Sequence, residues 1–329
     1  MTVNDFSSPL AQYFREFVAM KHALGYKYEG ALYHLRMLDK MCTKYSDGHA
    51  CLSKETVDAW TVKRPNESVR TQGKRISLMN EVGEFLIQRD IQAHIFPTKR
   101  RSFHSPTAFV PYIFTHEQVK VFLQAADRHP AHRAHPVSNH MYSVLFRILY
   151  CCGLRLSEAL KLKYNDIDLK NGILTVRDAK FGSDRLVPMT ESLCELCSVY
   201  IPTIRAHLPH NPHIFPTRFS ADPVTSESAY TYFRKILWEA GISHGGRGKG
   251  PRVHDFRHTF SVHSLQQWVA DGKDIYVALP ILATYLGHDD IKITEKYLRL
   301  TAEIFPEMLA LSEAYSQAVM PEVKFYETD

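Results

Sequence analysis

Long apolar runs are missing from this chain of 329 residues: no stretch approaches the roughly 20 apolar residues of a membrane-spanning helix, so a helical membrane protein is excluded. Cysteine is scarce. Cys42, Cys51, Cys151, Cys152, Cys194 and Cys197 are the six present, and their spacing forms no disulfide framework. Cys194-x-x-Cys197 has no second pair to complete a zinc site and falls in an amphipathic segment, so buried thiols are the ordinary reading. No unit repeats along the chain and no segment is of low complexity, which removes solenoids and disordered arrays. A glycine-rich phosphate loop of the ATP-binding type is absent, and so is a carboxylate cluster that could hold two divalent metals. Met1-Thr2-Val3-Asn4-Asp5 lacks the basic-then-apolar pattern of an export signal, so a reducing, cytoplasmic setting is expected.

What is present is an ordinary globular composition, 45% hydrophobic and 23% charged, in a chain long enough for two cores. The net charge of +5 is unevenly placed. Residues 1–105 hold 16 Lys and Arg against 11 Asp and Glu, whereas the remainder holds 24 of each. A basic N-terminal third fits a polyanionic partner, although a solvated helix face is the commoner explanation of such an excess.

The hydrophobic periodicity divides the chain. Leu10, Tyr13, Phe14, Phe17 and Val18 recur at helical spacing, as do Leu32, Leu35, Leu38 and Met41, with Gly25 and Gly30 as punctuation. A third helix is expected after Ser53, ending before Pro65. A fourth is expected over about Asn66–Arg89, burying Val69, Ile76, Met79, Val82 and Leu86 and exposing Arg70, Lys74 and Arg75. This predicts a helical bundle over 1–95. Pro97, Lys99-Arg100-Arg101, Pro106 and Pro111 then mark a basic, proline-rich linker over 96–112. A second domain, 113–329, opens on the capping box Thr115-His116-Glu117-Gln118. An apolar helical stretch from Met141 to Leu162 breaks at Gly153. Gly172–Arg177 and Arg185–Pro188 read as a hairpin turning at Phe181-Gly182-Ser183-Asp184. The rest is helical to about Ala318, apart from a loop at Gly245–Gly250. The expected fold is therefore mainly α with a small β-hairpin in its second domain.

Four patterns in that domain carry chemistry, and each has a plain alternative. In Gly153-Leu154-Arg155-Leu156-Ser157-Glu158, Arg155 and Glu158 could be a simple intrahelical pair. Lys180, at the hairpin tip, could be merely solvated. In His254-Asp255-Phe256-Arg257-His258, His254 and Arg257 share a helix face and could converge on one anion. His254 and His258 also have metal-ligand spacing, but no Glu stands at 255 and no carboxylate or cysteine cluster lies nearby, so no metal and no cofactor is expected. In Leu286-Gly287-His288-Asp289-Asp290 followed by Lys296-Tyr297-Leu298, Tyr297 is one of 17 tyrosines and says little alone.

Taken together, Arg155, Lys180, His254, Arg257, His288 and Tyr297, in this order and with these neighbours, resemble the tyrosine recombinase (phage integrase) family. The resemblance spans about residues 113–300; the preceding region suits the family's core-binding domain in size and helical character. Phe256 departs from the more usual Leu, a change expected to alter only packing. The stretch from His263 to Leu286 is longer than the commonest version, leaving its local fold open.

The resemblance implies a simple two-domain DNA clamp that cleaves and rejoins double-stranded DNA through a 3′-phosphotyrosyl link to Tyr297, without metal or ATP. It assigns the general-acid role to Lys180 and implies a DNA-bound tetramer, for which the helix expected over 306–318 is a candidate docking segment. Elementary chemistry agrees with the set. Attack on a phosphodiester adds charge to its non-bridging oxygens, which Arg155 and Arg257 are suited to bind as planar, permanently charged forks. His254 and His288 can donate hydrogen bonds or handle a proton near neutral pH. Glu158 fits a supporting part, orienting an arginine. Arg70, Lys74, Arg75, Lys99, Arg100 and Arg101 are candidate DNA contacts. The competing readings are a catalytically silent DNA-binding regulator of the same fold, a topoisomerase with the same chemistry, and a metal-dependent phosphodiesterase.

Overall fold

The computed structural model describes residues 6–97, 110–177, 184–246 and 250–297, apart from Lys27, Ser46, Asp47, Ala134, Asp289, Ile291 and Ile293. The chain divides into two compact units, Met1–Phe109 and Val110–Asp329. Among the described residues no helix is long and apolar enough to cross a membrane.

The first unit consists of α1 (Ala11–Ala23), α2 (Glu29–Tyr45), α3 (Lys54–Thr61) and α4 (Val69–Ile87). The apolar stripes meet in one core of Leu10, Phe14, Phe17, Leu35, Leu38, Trp60 and Met79, among others. Ser53 caps α3, its hydroxyl accepting from the Thr56 N–H. The start of α4 differs from expectation by three residues. Asn66 has φ +61°, which a right-handed helix cannot include, so the helix begins after Ser68, whose side chain accepts from the Thr71 N–H. Gly30 lies within the first turn of α2 rather than between helices, whereas Gly25 does leave α1 in a left-handed conformation.

The second unit is helical around a small sheet: α5 (His116–Arg128), α6 (Ser138–Cys151), the short α7 (Leu156–Leu160), β1 (Ile167–Asp168), β2 (Ile173–Val176), β3 (Arg185–Pro188), α8 (Glu191–His207), α9 (Ser226–Glu239), α10 (Asp255–Ala270) and α11 (Ile275–Leu286). The Thr115 capping box forms as the sequence indicates. The hairpin pairs antiparallel with Leu174 opposite Val187, and β1, which is too short to leave a periodic signal, adds a third strand beside β2.

Helix α6 is buried along most of its length and packs against α5, α8 and α10, so it forms the centre of the core. Phe256 sits fully buried among Phe114, Phe122, Phe146 and Phe233, with ring centroids 5.0–6.1 Å away. The larger ring thus packs as one member of an aromatic cluster, worth roughly 0.5–1.5 kcal/mol per well-oriented pair beyond its burial. The long stretch after His263 is the remainder of α10, a turn, and α11, whose N-cap Asp274 accepts from the Tyr276 N–H. A second cluster, Val262, Leu265, Leu279, Leu282, Leu286 and Tyr297, fastens the end of the described chain to α10 and α11.

Candidate active site

Two backbone turns shape the site. At Gly153 the chain leaves α6 with φ +58°, and a Cβ there would stand 2.4 Å from the Phe260 ring, so only glycine fits. At Gly287 the left-handed C-cap of α11 leaves its backbone 3.2–3.4 Å, measured from a would-be Cβ, from the Arg185 side chain. The freed carbonyls become acceptors. Arg257 Nη1 donates to Gly153 O at 2.9 Å and its Nη2 to Leu286 O at 2.7 Å; Arg155 Nη2 donates to Gly287 O at 3.4 Å. Residues far apart in sequence are therefore tied at one point.

Glu158 stands at the centre. Its Oε2 accepts the Arg155 backbone N–H at 2.9 Å and its Oε1 accepts Arg155 Nη1 at 2.6 Å. Arg185 of β3 binds the same carboxylate with two nitrogens, at 2.7 and 3.2 Å, and donates Nε to Tyr285 O at 3.1 Å. Arg257 stands 4.0 Å from Oε2. Burial alone would raise the Glu158 pKa, but the hydrogen bonds from Arg185 and from the Arg155 backbone and side chain outweigh it and hold the carboxyl at about 2.

Three guanidiniums thus surround one carboxylate, leaving a net of two positive charges in a poorly solvated pocket. Burial and repulsion from Arg155 lower the Arg257 pKa to about 10, still fully charged near neutrality. A surplus of buried positive charge is costly unless an anion joins it.

The histidines adapt to that charge. His288 lies with one ring nitrogen on Arg257 Nη2 (3.0 Å) and the other on Thr294 Oγ1 (2.9 Å). A guanidinium only donates, so His288 Nε2 must accept and Nδ1 carries the proton toward Thr294. Burial and then Arg257, Arg155 and Arg185 lower its pKa to about 3. In this state His288 accepts from Arg257 instead of donating to a ligand. His254, at the N-cap of α10, keeps part of its ring open to solvent; packing and then Arg257, Arg155 and Arg252 lower its pKa to about 4.

Tyr297 lies in a helical turn, Thr294–Tyr297, with 3% of its surface exposed. Its hydroxyl is 3.0 Å from His258 Nδ1, and its ring lies nearly parallel to that of His288 at 6.3 Å. Burial raises its pKa, while Arg257 and the Ser261 hydroxyl act in the opposite sense. The structure therefore brings together Arg155, Glu158, His254, Arg257, His288 and Tyr297. Lys180 lies outside the described residues, as do Lys99, Arg100, Arg101 and the segment 306–318.

Two members of the site were not singled out from the sequence. Arg185 shares a strand face with the buried Val187, and an arginine on the inner face of a hairpin strand is itself a signal. His258 was weighed only as a metal ligand; it bonds the phenol instead, and among the described residues no His, Cys, Asp and Glu group could hold a metal ion.

Arg75 requires a correction. Expected on the exposed face of α4 as a DNA contact, it is fully buried. Nε and Nη2 donate to Glu67 at 3.0 and 2.9 Å, Nη2 also reaches Val62 O at 3.0 Å, and Nη1 bonds Trp60 O. Every arm is satisfied internally, so Arg75 braces α3 against α4 and has nothing left for a phosphate. Arg70 and Lys74 are exposed on α4, as expected.

Known proteins share the sequence pattern and the fold. The model of the phage integrase family matches residues 113–303. The protein named integrase/recombinase y4rB of Sinorhizobium fredii is 27% identical over 306 residues, which cover 92% of this chain and 96% of that protein. Tyrosine recombinase XerC of Chlamydia caviae is 26% identical over 242 residues, covering 73% and 70%. Among solved structures, the XerH site-specific recombinase bound to palindromic difH substrate in a post-cleavage complex shares the fold. Its TM-score is 0.64 at 19% identity, over 86% of this chain and 80% of that one. A lambda integrase dimer bound to a core site gives 0.59 at 15% identity, over 88% and 76%.

Proposed function

The chain belongs to the phage integrase family and is a site-specific DNA recombinase, and from that premise we propose that it cleaves and rejoins double-stranded DNA through a covalent link to Tyr297, with no metal and no ATP. The observation that carries this reading is the pairing of a buried tyrosine with a pocket holding two unbalanced positive charges.

A phosphodiester entering that pocket supplies the missing negative charge. Arg155 and Arg257 bind its two non-bridging oxygens, and their hold tightens as the five-coordinate phosphorus gains charge. When the phosphate takes over the Arg257 fork, His288 Nε2 is released from accepting and, on taking a proton from solvent, can donate a hydrogen bond to the phosphate. Glu158 and Arg185 keep Arg155 in place while this happens. Tyr297 Oη forms a bond to phosphorus as the bond to the 5′ oxygen breaks, and Lys180 delivers a proton to that leaving oxygen. The phosphotyrosyl ester retains the energy of the broken bond, so a 5′-hydroxyl from a partner strand can reverse the step.

The same proposal gives the first unit the task of gripping the duplex through the exposed Arg70 and Lys74, with Lys99, Arg100 and Arg101 as further candidate phosphate contacts. It also includes assembly into a tetramer on DNA, for which 306–318 remains the candidate docking segment.

The test is a DNA duplex nicked so that cleavage is trapped. The wild-type chain should form a denaturant-resistant protein–DNA complex in the presence of a chelator, and Tyr297→Phe should form none. A covalent complex with Tyr297→Phe would remove Tyr297 as the nucleophile, and loss of the complex on chelation would remove the metal-free mechanism.

A further inference from the structure

We propose that His258 is the immediate proton acceptor for Tyr297 during strand cleavage, a role that rests on the reading of Tyr297 as nucleophile.

The hydrogen bonds of the three imidazoles near the tyrosine differ. His288 has both ring nitrogens engaged, one by Arg257 and one by Thr294. His254 meets His258 edge to face at 4.8 Å. His258 Nδ1 is 3.0 Å from Tyr297 Oη, with the two rings tilted by 51°. With the imidazole proton on Nε2, the phenol donates to Nδ1 through this contact, which puts a base within reach of the proton that must leave Oη; Ser261 and Arg257 also bond the phenol.

The electrostatics make the transfer conditional on DNA. Packing first, then His254, Arg257, Arg252 and His288, lower the His258 pKa to about 3. These groups come from α10, from the turn before it and from the segment after α11. Arg257 is also a guanidinium that a bound phosphate would neutralise. A phosphodiester on Arg257 offsets one part of that repulsion, so His258 gains basicity when DNA is bound.

The step balances. The Oη–P bond forms, the P–O5′ bond breaks, the phenolic proton goes to His258 Nδ1, and the 5′ oxygen takes its proton from Lys180. In rejoining, the attacking 5′-hydroxyl returns a proton to Lys180, and His258 returns one to the departing phenolate.

Three variants in the full chain, assayed on the nicked duplex, test this. His258→Ala should bind DNA as the parent does and cleave about 10²–10⁴-fold more slowly, the range of a lost general base. Added imidazole should restore cleavage in proportion to its free-base concentration. His258→Gln retains a hydrogen-bonding group but no basic nitrogen, and it should be as slow as His258→Ala; melting curves of both establish that they fold. Parent-like cleavage by His258→Gln would reduce His258 to a holder of the hydroxyl and overturn the proposal, as would parent-like cleavage by His258→Ala. A duplex with sulfur in place of the bridging 5′ oxygen has a leaving group that needs no proton. On it Lys180→Ala should recover while His258→Ala stays slow; recovery of His258→Ala would place His258 on the leaving-group side and also overturn the proposal. Tyr297→Phe, run beside them, tests the nucleophile assignment separately, since its failure to abolish the covalent complex would leave the His258 result without a subject.

Discussion

Each of the two units buries an arginine, and the two are paired in opposite ways. Arg75 is fully buried, holds Glu67 through two nitrogens and lies over the Trp60 ring at 4.9 Å. Arg257, 2% exposed, bonds two carbonyls and an imidazole, and its nearest carboxylate is 4.0 Å away and already bound by two other arginines. A buried guanidinium with its own counterion is part of the scaffold. One that stands in a surplus of positive charge is a socket for an anion. Burial alone does not tell them apart; the local balance of charge does.

The largest expected effect comes from breaking the balanced pair. Arg75→Ala leaves the Glu67 carboxylate buried without its partner and should lower unfolding free energy by about 3–5 kcal/mol. Denaturant titration measures this, and the fraction that remains folded should cleave DNA at the parent rate. A loss below about 1 kcal/mol would mean that the pair is not the brace between α3 and α4 that its geometry indicates.

Arg257→Ala should show the reverse pattern. Removing one oxyanion-binding donor typically costs about 10²–10³ in rate, and cleavage of the nicked duplex should fall at least that far. Stability should change less than for Arg75→Ala, because relief of the positive surplus offsets the lost bonds to Gly153 and Leu286. Equal destabilisation by the two variants would erase the distinction between scaffold and socket.

The pH dependence follows from the same surplus. His258 and His288, each lowered from 6.5 to about 3, fold in the neutral form. The unfolded chain therefore binds more protons than the native one below about 6.5, and the stability these groups contribute is lost as pH falls from there toward 3. Glu158, lowered from 4.5 to about 2, has the same sign, and its contribution is lost only between those values. Melting temperature should thus begin to decline near pH 6.5, before any carboxylate titrates, and His288→Gln should make the decline shallower. A flat profile from pH 7 to 4.5 would show that burial and the neighbouring arginines do not hold the imidazoles neutral.

Much of this contrast could be read from the sequence, and the unread part has a definite cause. The grouping of Arg155, His254, Arg257, His288 and Tyr297 was expected from four short motifs in a fixed order, and the structure brings these five side chains to one pocket. Arg75 was misplaced because its charge was allowed to override its position. Gln72, Arg75, Ile76, Met79 and Val82 form one continuous buried stripe at helical spacing, so residue 75 falls on the inner face that its neighbours define. Arg185 is the strand counterpart, on the inner face with Val187. What the sequence could not supply was the partner: neither Glu67 for Arg75 nor the three-way sharing of Glu158 follows from spacing, since each is set by how separate elements pack. Strand β1 was missed for a simpler reason, since two residues carry no period.

The smallest expected effect concerns the residues of α4 that do face solvent. Arg70 and Lys74 stand four apart on the exposed side of the same helix that buries Arg75, so one helix separates surface charge from structural charge. If that face meets the phosphate backbone, each of Arg70→Ala and Lys74→Ala should weaken DNA binding a few-fold. Each should also reduce the slope of log affinity against log salt by about 0.9, the release of roughly one counterion. Melting should change little for either, since exposed surface charges contribute within about 0.5 kcal/mol and Arg70, a cation in the first turn of α4, has no favourable interaction with the helix dipole to lose. Conservative repair of the scaffold gives the control: a variant at Arg75 that still folds should leave the salt slope untouched, because a guanidinium closed around Glu67 has no counterion to release. Unchanged slopes for both Arg70→Ala and Lys74→Ala would move the DNA contact off this face and leave the positive excess of residues 1–105 to act from elsewhere on the unit.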